Sequence, residues 1–170
     1  MIINPAALRT IDNMEGQTCF GCGASNPVGL HMQFLTDGER VYSFVTVPPA
    51  MAGWDQTVHG GVISTILDEI MGWSVIYLLG KIGVTKSMTV EFIKPLQVGT
   101  RLTVVGSIQE TPSERQIVVQ GEIYSEEERL CAKAAGTFVA LSAQAALRLG
   151  VMSSEYNERF ASILKQNQGV

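Results

Sequence analysis

The sequence predicts an α+β fold in which a curved antiparallel sheet wraps around one long central helix. Three observations predict it: an apolar run over 62–79, four β-rich runs after it, and glycines at positions 106, 121 and 136 within those runs. The first run is apolar on nearly every helical face (Val62, Ile63, Ile66, Leu67, Ile70, Met71, Trp73, Val75, Ile76), and such a helix is surrounded rather than laid on a surface. Strands in series with short turns build an antiparallel sheet. Gly106, Gly121 and Gly136 in the strands predict bulges or strong curvature.

Taken in order, residues 1–17 carry no strong pattern beyond a short helix expected over 6–11. Residues 18–30 read as loop, punctuated by Gly21, Gly23, Asn26-Pro27 and Gly29. A strand over 31–35, a turn at Asp37-Gly38 and a strand over 40–47 form a hairpin, which Pro48-Pro49 ends. Residues 50–58 read as a connection containing Gly53, Trp54 and Asp55. The helix is expected over 60–79, closed by Gly80, with Lys81 beside its negative end. Strands follow over 84–93, 101–109, 115–124 and 129–141, separated by turns at 95–99, 111–113 and 125–128. Tyr156, Phe160, Ile163 and Leu164 fall at i, i+4, i+7 and i+8, so the tail ends in an amphipathic helix. The expectation is one domain over 1–170, with an extension and loop over 1–28 and a helical tail over 142–170.

Composition narrows the class. The chain has 170 residues, 46% of them hydrophobic and 16% charged, with a mean hydropathy of +0.19. So few charges leave apolar surface for burial between subunits. A net charge of −4 gives no reason to expect nucleic-acid binding. Asp68 and Glu69 in the middle of the apolar run argue against membrane insertion. The first residues, Met1-Ile2-Ile3-Asn4-Pro5, lack the features of a signal peptide, which points to a cytoplasmic protein. Three cysteines do not make a disulfide framework. Cys19-Phe20-Gly21-Cys22 has the spacing of half a zinc site, with His31 as the one nearby third ligand. No second such pair follows and Cys131 stands alone, so the expectation is a tight turn packed by buried thiols and no metal.

The stretch from His59 to Glu69 is expensive. Glycine in a helix costs up to about 1 kcal/mol relative to alanine, and an ionised carboxylate among Ile66, Leu67, Ile70 and Met71 costs more unless it is compensated. Such a segment points to function.

The pattern resembles the hotdog-fold acyl-CoA thioesterases, in the branch of the phenylacetic-acid-degradation (PaaI-like) enzymes. The resemblance rests on His59-Gly60-Gly61 with Asp68 nine positions after the histidine, on the preceding Gly53-Trp54-Asp55-Gln56-Thr57-Val58, and on Val90-Glu91-Phe92-Ile93-Lys94-Pro95. Cys19-Phe20-x-Cys22-Gly23 with Asn26-Pro27-x-Gly29-Leu30 resembles a leader of some bacterial members. It covers roughly residues 18–141 and implies hydrolysis of acyl-CoA to free acid and coenzyme A, with no cofactor beyond the coenzyme A of the substrate. It implies that Asp68 is a nucleophile or a general base, and that the Gly60 N–H, helped by Gly61, polarises the thioester oxygen. His59 shapes the helix start or hydrogen-bonds locally. Thr85 aligns with a hydroxyl that positions water or the acid in some members. Where some members carry an amide six residues before the histidine, this chain has Gly53, and Gln56 is the nearest substitute. Lys86 and Lys94 read first as solvated strand lysines and second as candidates for coenzyme A phosphates. Glu69, one step of about 100° from Asp68, is expected to cap, to pair with a base or to face an edge. Trp54, Trp73 and Met71 are candidates for lining an acyl pocket.

Geometry adds a requirement. Gly60 and Asp68 are eight residues apart, about 12 Å along one helix, yet both must come within about 3 Å of one reacting group. Two copies with antiparallel central helices bring Asp68 of one to Gly60 of the other, twice per dimer. The expectation is an obligate homodimer, alone or within a homotetramer. Two rival readings are a hotdog acyl-thioester dehydratase or hydratase, whose histidine motifs the two histidines here do not fit, and a non-catalytic acyl-CoA sensor.

Overall fold

The computed structural model describes residue 3 and residues 5–168. Strands β1 (Arg9–Ile11), β2 (Phe34–Thr36) and β3 (Val41–Thr46) precede a small hairpin of β4 (Ala52–Trp54) and β5 (Thr57–Val58). Helix α1 (Gly60–Leu79) follows, then the long strands β6 (Ile82–Phe92), β7 (Arg101–Ser113), β8 (Gln116–Tyr124) and β9 (Leu130–Leu141). Helices α2 (Ala143–Arg148) and α3 (Ser154–Gln168) close the described chain. The main sheet has seven strands in the order β1-β2-β3-β7-β8-β9-β6, every neighbouring pair antiparallel. This is the hotdog architecture, with α1 packed against β3, β6, β7, β8 and β9.

Helix α1 has the predicted limits. His59 caps it by accepting the Gly61 N–H on Nδ1 at 2.9 Å, and Gly80 closes it in the left-handed conformation (φ 62°). Ile66, Leu67, Ile70, Met71 and Val75 are fully buried, joined by Val41, Leu102, Val104, Ile117, Val119 and Ile123 from the sheet.

The strand glycines make none of the bulges expected as one alternative, and they serve the close approach of helix and sheet. Gly106 and Gly121 face each other in register, with no bulge at either. A Cβ on Gly106 would lie 2.3 Å from Ser74 Oγ and 2.7 Å from the Ile70 carbonyl oxygen, and one on Gly121 would lie 3.2 Å from Leu67 and Met71. Gly136 likewise leaves 3.1 Å to Met71. These glycines form the seat on which α1 lies close to the sheet.

Other differences concern short elements. Residues 6–11 hold no α-helix: a 3₁₀ turn (Pro5–Ala7) leads into β1, whose partner β2 fixes it as strand. The strand expected from residue 31 starts at Phe34, because His31 has φ 51° and its Nδ1 bonds the Gly23 carbonyl. Residues 111–113 continue β7 rather than turn, and 52–58 form the β4–β5 hairpin within the expected connection. Lys81 donates to the Glu114 carbonyl rather than serving the helix end. Helix α3 is amphipathic as expected, and α2 precedes it, capped by Ser142. A second core of Met14, Ile82, Ala146 and Phe160 sits under these helices.

Candidate active site

Asp68 and Gly60 lie on the same helix and open into different cavities. Asp68 is half-buried and its Oδ1 accepts a 2.7 Å hydrogen bond from Thr85 Oγ1. Strand β6 is bulged directly after Thr85, since Thr85 pairs with Phe138 and Ser87 with Thr137, and such bulges re-aim side chains. Asp68 and Thr85 share a cavity of about 210 Å³ whose apolar wall includes Trp73, Ile76, Ile82, Phe138, Met152 and Phe160. Loop 13–22 and α3 close it, tied by Tyr156 Oη donating to Gln17 Oε1 (3.2 Å) and by paired bonds between Asp12 and Asn167.

Gly60 opens into a separate cavity of about 220 Å³ with Thr57, Ile63, Phe92 and Lys94. Among the described residues no hydrogen bond occupies the Gly60 N–H, whereas the Gly61 N–H is taken by His59 Nδ1. Gly61 is therefore spent on the helix cap, and Gly60 is the free donor at the positive end of the α1 dipole. The structure thus brings Asp68 to Thr85 and Gly60 to Lys94. It does not bring Gln56 to either: that side chain is exposed in the β4–β5 turn, outside both cavities. Lys86 is exposed at the bulge. Gly53 has a steric reason, since a Cβ there would approach His59 Cα to 3.1 Å.

Of the aromatic and methionine candidates for a pocket wall, Trp73 alone lines the Asp68 cavity, its ring stacked on Phe34 at 4.8 Å. Trp54 is 86% exposed at the hairpin, and Met71 is core beneath the glycine seat.

Glu69 departs most from expectation. Among the described residues it pairs with no base; it turns into the same cavity as Asp68, where its Oε1 accepts a hydrogen bond from Cys19 Sγ at 3.2 Å. Burial, and next the neighbouring Cys19, push its carboxyl up to about 8. Cys19 is held below the ordinary thiol value, first by the Cys22 thiol and also by the backbone N–H groups of Cys22 and Gly21. Cys22 is raised by that same contact and by burial. No lysine, arginine or histidine lines this cavity. Sequence reasoning missed the trio because Glu69 lies 50 positions from Cys19. Gly21 was the available signal: a Cβ there would lie 2.1 Å from Glu69 Cγ.

Comparison with known proteins agrees with this architecture. Residues 55–132 match the family described as the thioesterase superfamily. The chain is similar to the crystal structure of a thioesterase superfamily protein (TM-score 0.65, 26% identity, 71% of this chain and 59% of that one). It therefore spans a little under two thirds of that relative's length. It is also similar to a hypothetical thioesterase of Streptococcus pneumoniae solved with coenzyme A (TM-score 0.58, 25% identity, 62% of this chain and 80% of that one). The E. coli PaaI protein of the phenylacetic acid degradation operon shares the fold (TM-score 0.60, 20% identity, 66% and 81%). No curated protein sequence matches the chain.

Proposed function

We propose, from the premise that this chain carries a hotdog domain of the thioesterase superfamily, that it hydrolyses acyl-CoA thioesters as a homodimer. Each site would join Asp68 and Thr85 of one copy to the Gly60 N–H of the other. The observation that carries this reading is the division of the machinery: a hydroxyl-oriented carboxylate in one cavity and an unspent helix N–H in another, about 12 Å apart along α1. A likeness to a pneumococcal thioesterase solved with coenzyme A supports the thioester class, and the His59-Gly60-Gly61 to Asp68 spacing supports the PaaI-like branch.

The acyl group would occupy the apolar cavity beside Asp68, with its carbonyl oxygen on the Gly60 N–H of the partner subunit. Lys94, which lines the Gly60 cavity, would meet coenzyme A phosphates. Thr85 donates to Oδ1 and so leaves Oδ2 for chemistry. That oxygen attacks the carbonyl carbon to form a mixed anhydride, which water then cleaves to the free acid and the Asp68 carboxylate, or it takes a proton from the water that attacks. Either route puts negative charge on the carbonyl oxygen, where the N–H and the helix dipole stabilise it, and expels the coenzyme A thiolate.

Edge strand β6 supports the dimer. It runs for 11 residues with nothing among the described residues paired on its outer side, and Phe92 at its end is 56% exposed. A long unprotected edge is a template for another strand, and a second copy meeting it antiparallel would set the two α1 helices antiparallel as well.

Free-thiol release from a panel of acyl-CoAs, with wild type and Asp68→Asn, tests the proposal. Release that collapses in the variant upholds it. Equal rates in both proteins, or binding without turnover in wild type, overturn it. Single-turnover hydrolysis in ¹⁸O-water separates the two routes, because only the anhydride route delivers label into Asp68.

A further inference from the structure

The Cys19–Cys22–Glu69 trio has no part in the hydrolysis derived above, yet its geometry is that of a donor set. We propose that Cys19 Sγ, Cys22 Sγ and the Glu69 carboxylate bind one thiophilic divalent metal ion, zinc in the first place, fastening loop 17–23 to α1.

Four observations carry it. One donor atom from each residue lies within 4.8 Å of the others. A tetrahedral zinc with thiolates at about 2.3 Å and a carboxylate at about 2.0–2.2 Å holds such donors roughly 3.5–3.8 Å apart, so small side-chain adjustments close the set.

The loop has the tight form that two metal thiolates require. Gly23 N–H donates to the Cys19 carbonyl at 2.9 Å, and Met32 N–H donates to the Gly21 carbonyl at 3.0 Å. Gly23 admits this turn because a Cβ there would lie 2.4 Å from Cys19 N and 2.6 Å from Cys19 O.

The third donor is admitted deliberately. Gly21 leaves the space that Glu69 fills, and Glu69 reaches through it to Cys19 from a helix position where a leucine would suit the core.

The three donors have no protein cation beside them. Two thiols and a carboxyl converge where no lysine, arginine or histidine among the described residues lines the cavity. A divalent ion supplies the positive charge, and a water in the cavity supplies the fourth ligand. An outer contact is in place too: Gln17 Nε2 approaches Cys22 Sγ at 4.0 Å. His31 is not a donor, since it is exposed and bonded to the Gly23 carbonyl.

The test uses full-length, reduced protein under anaerobic conditions, with Co²⁺ alone as probe and Zn²⁺ as competitor. Expected is one Co²⁺ per chain, with tetrahedral visible bands and a thiolate charge-transfer band of two-sulfur intensity that Zn²⁺ abolishes. Cys22→Ser should halve the band, Glu69→Gln should weaken binding at least tenfold, and His31→Ala and Cys131→Ser should match wild type. Should Glu69→Gln fail to fold by circular dichroism, wild type alone decides: a mercurial titrating two thiols must release one zinc. Absence of the charge-transfer band, equal affinity in Glu69→Gln, loss in His31→Ala, or a Cys19–Cys22 disulfide in metal-free native protein overturns the proposal. None of these readouts uses thioester turnover, so failure of the hydrolase reading leaves them interpretable.

Discussion

Asp68 and Gly60 permit substitutions that remove one chemical function and little else. Asp68→Asn keeps the Thr85 bond and is expected to lower kcat/KM by about 10²–10⁴-fold. Thr85→Val removes the hydroxyl that donates to Oδ1; loss of a hydrogen bond to a charged group, about 1.5–3 kcal/mol, should appear as roughly a 10–100-fold fall in kcat with KM little changed. Gly60→Pro is the sharpest probe. Proline is tolerated at the first helical position and has no N–H. His59 already has the extended conformation (φ −61°, ψ 135°) that a following proline needs, and a Cβ at Gly60 meets the Phe92 ring at an ordinary 3.6 Å. The helix should survive while thioester cleavage falls about 10²–10³-fold, read by thiol release beside an unchanged far-ultraviolet spectrum. Asp68 and the glycines were legible at this scale because costly residues in an apolar helix stand out. The neighbour of Glu69 was not, because a contact spanning 50 positions leaves no local period in the sequence.

Among the elements, α1 was readable to its last residue: Gly80 and an all-round apolar pattern are local signals. The three-residue strands β1 and β4 exist through their pairing partners, and neither propensity nor period marks so short a run. The same non-local cause hid the use of the strand glycines, whose neighbours belong to α1. Their role predicts unequal costs. Gly106→Ala sets a methyl against the Ile70 carbonyl and Ser74 Oγ, backbone and a bonded hydroxyl that cannot retreat cheaply. Gly121→Ala meets flexible side chains at 3.2–3.3 Å. Urea denaturation should show Gly106→Ala destabilised by about 1–3 kcal/mol, and Gly121→Ala by less.

For the whole molecule, two half-sites make complementation a direct measurement. Chains carrying Asp68→Asn and chains carrying Gly60→Pro, each inactive alone, should regain activity when unfolded together and refolded. A mixed dimer contains one intact site of two, and half of randomly paired dimers are mixed, so about a quarter of wild-type activity is expected. No recovery would place both groups in one subunit. Charge on the β6 edge gives a second measurement: Ser87→Glu with Thr89→Glu sets like charges on both copies. Sedimentation should then show monomers, and activity should be lost with Asp68 untouched.

The clasp between the two ends of the chain has an evolutionary corollary. Loop 13–22 and helix α3 wall the Asp68 cavity, yet both lie outside the span 55–132 that matches the thioesterase superfamily. On the proposed reading, the reaction is inherited with the sheet and α1, whereas the choice of acyl group is carried by appendages free to diverge. Exchanging those appendages between relatives should transplant a substrate preference without rebuilding the catalyst.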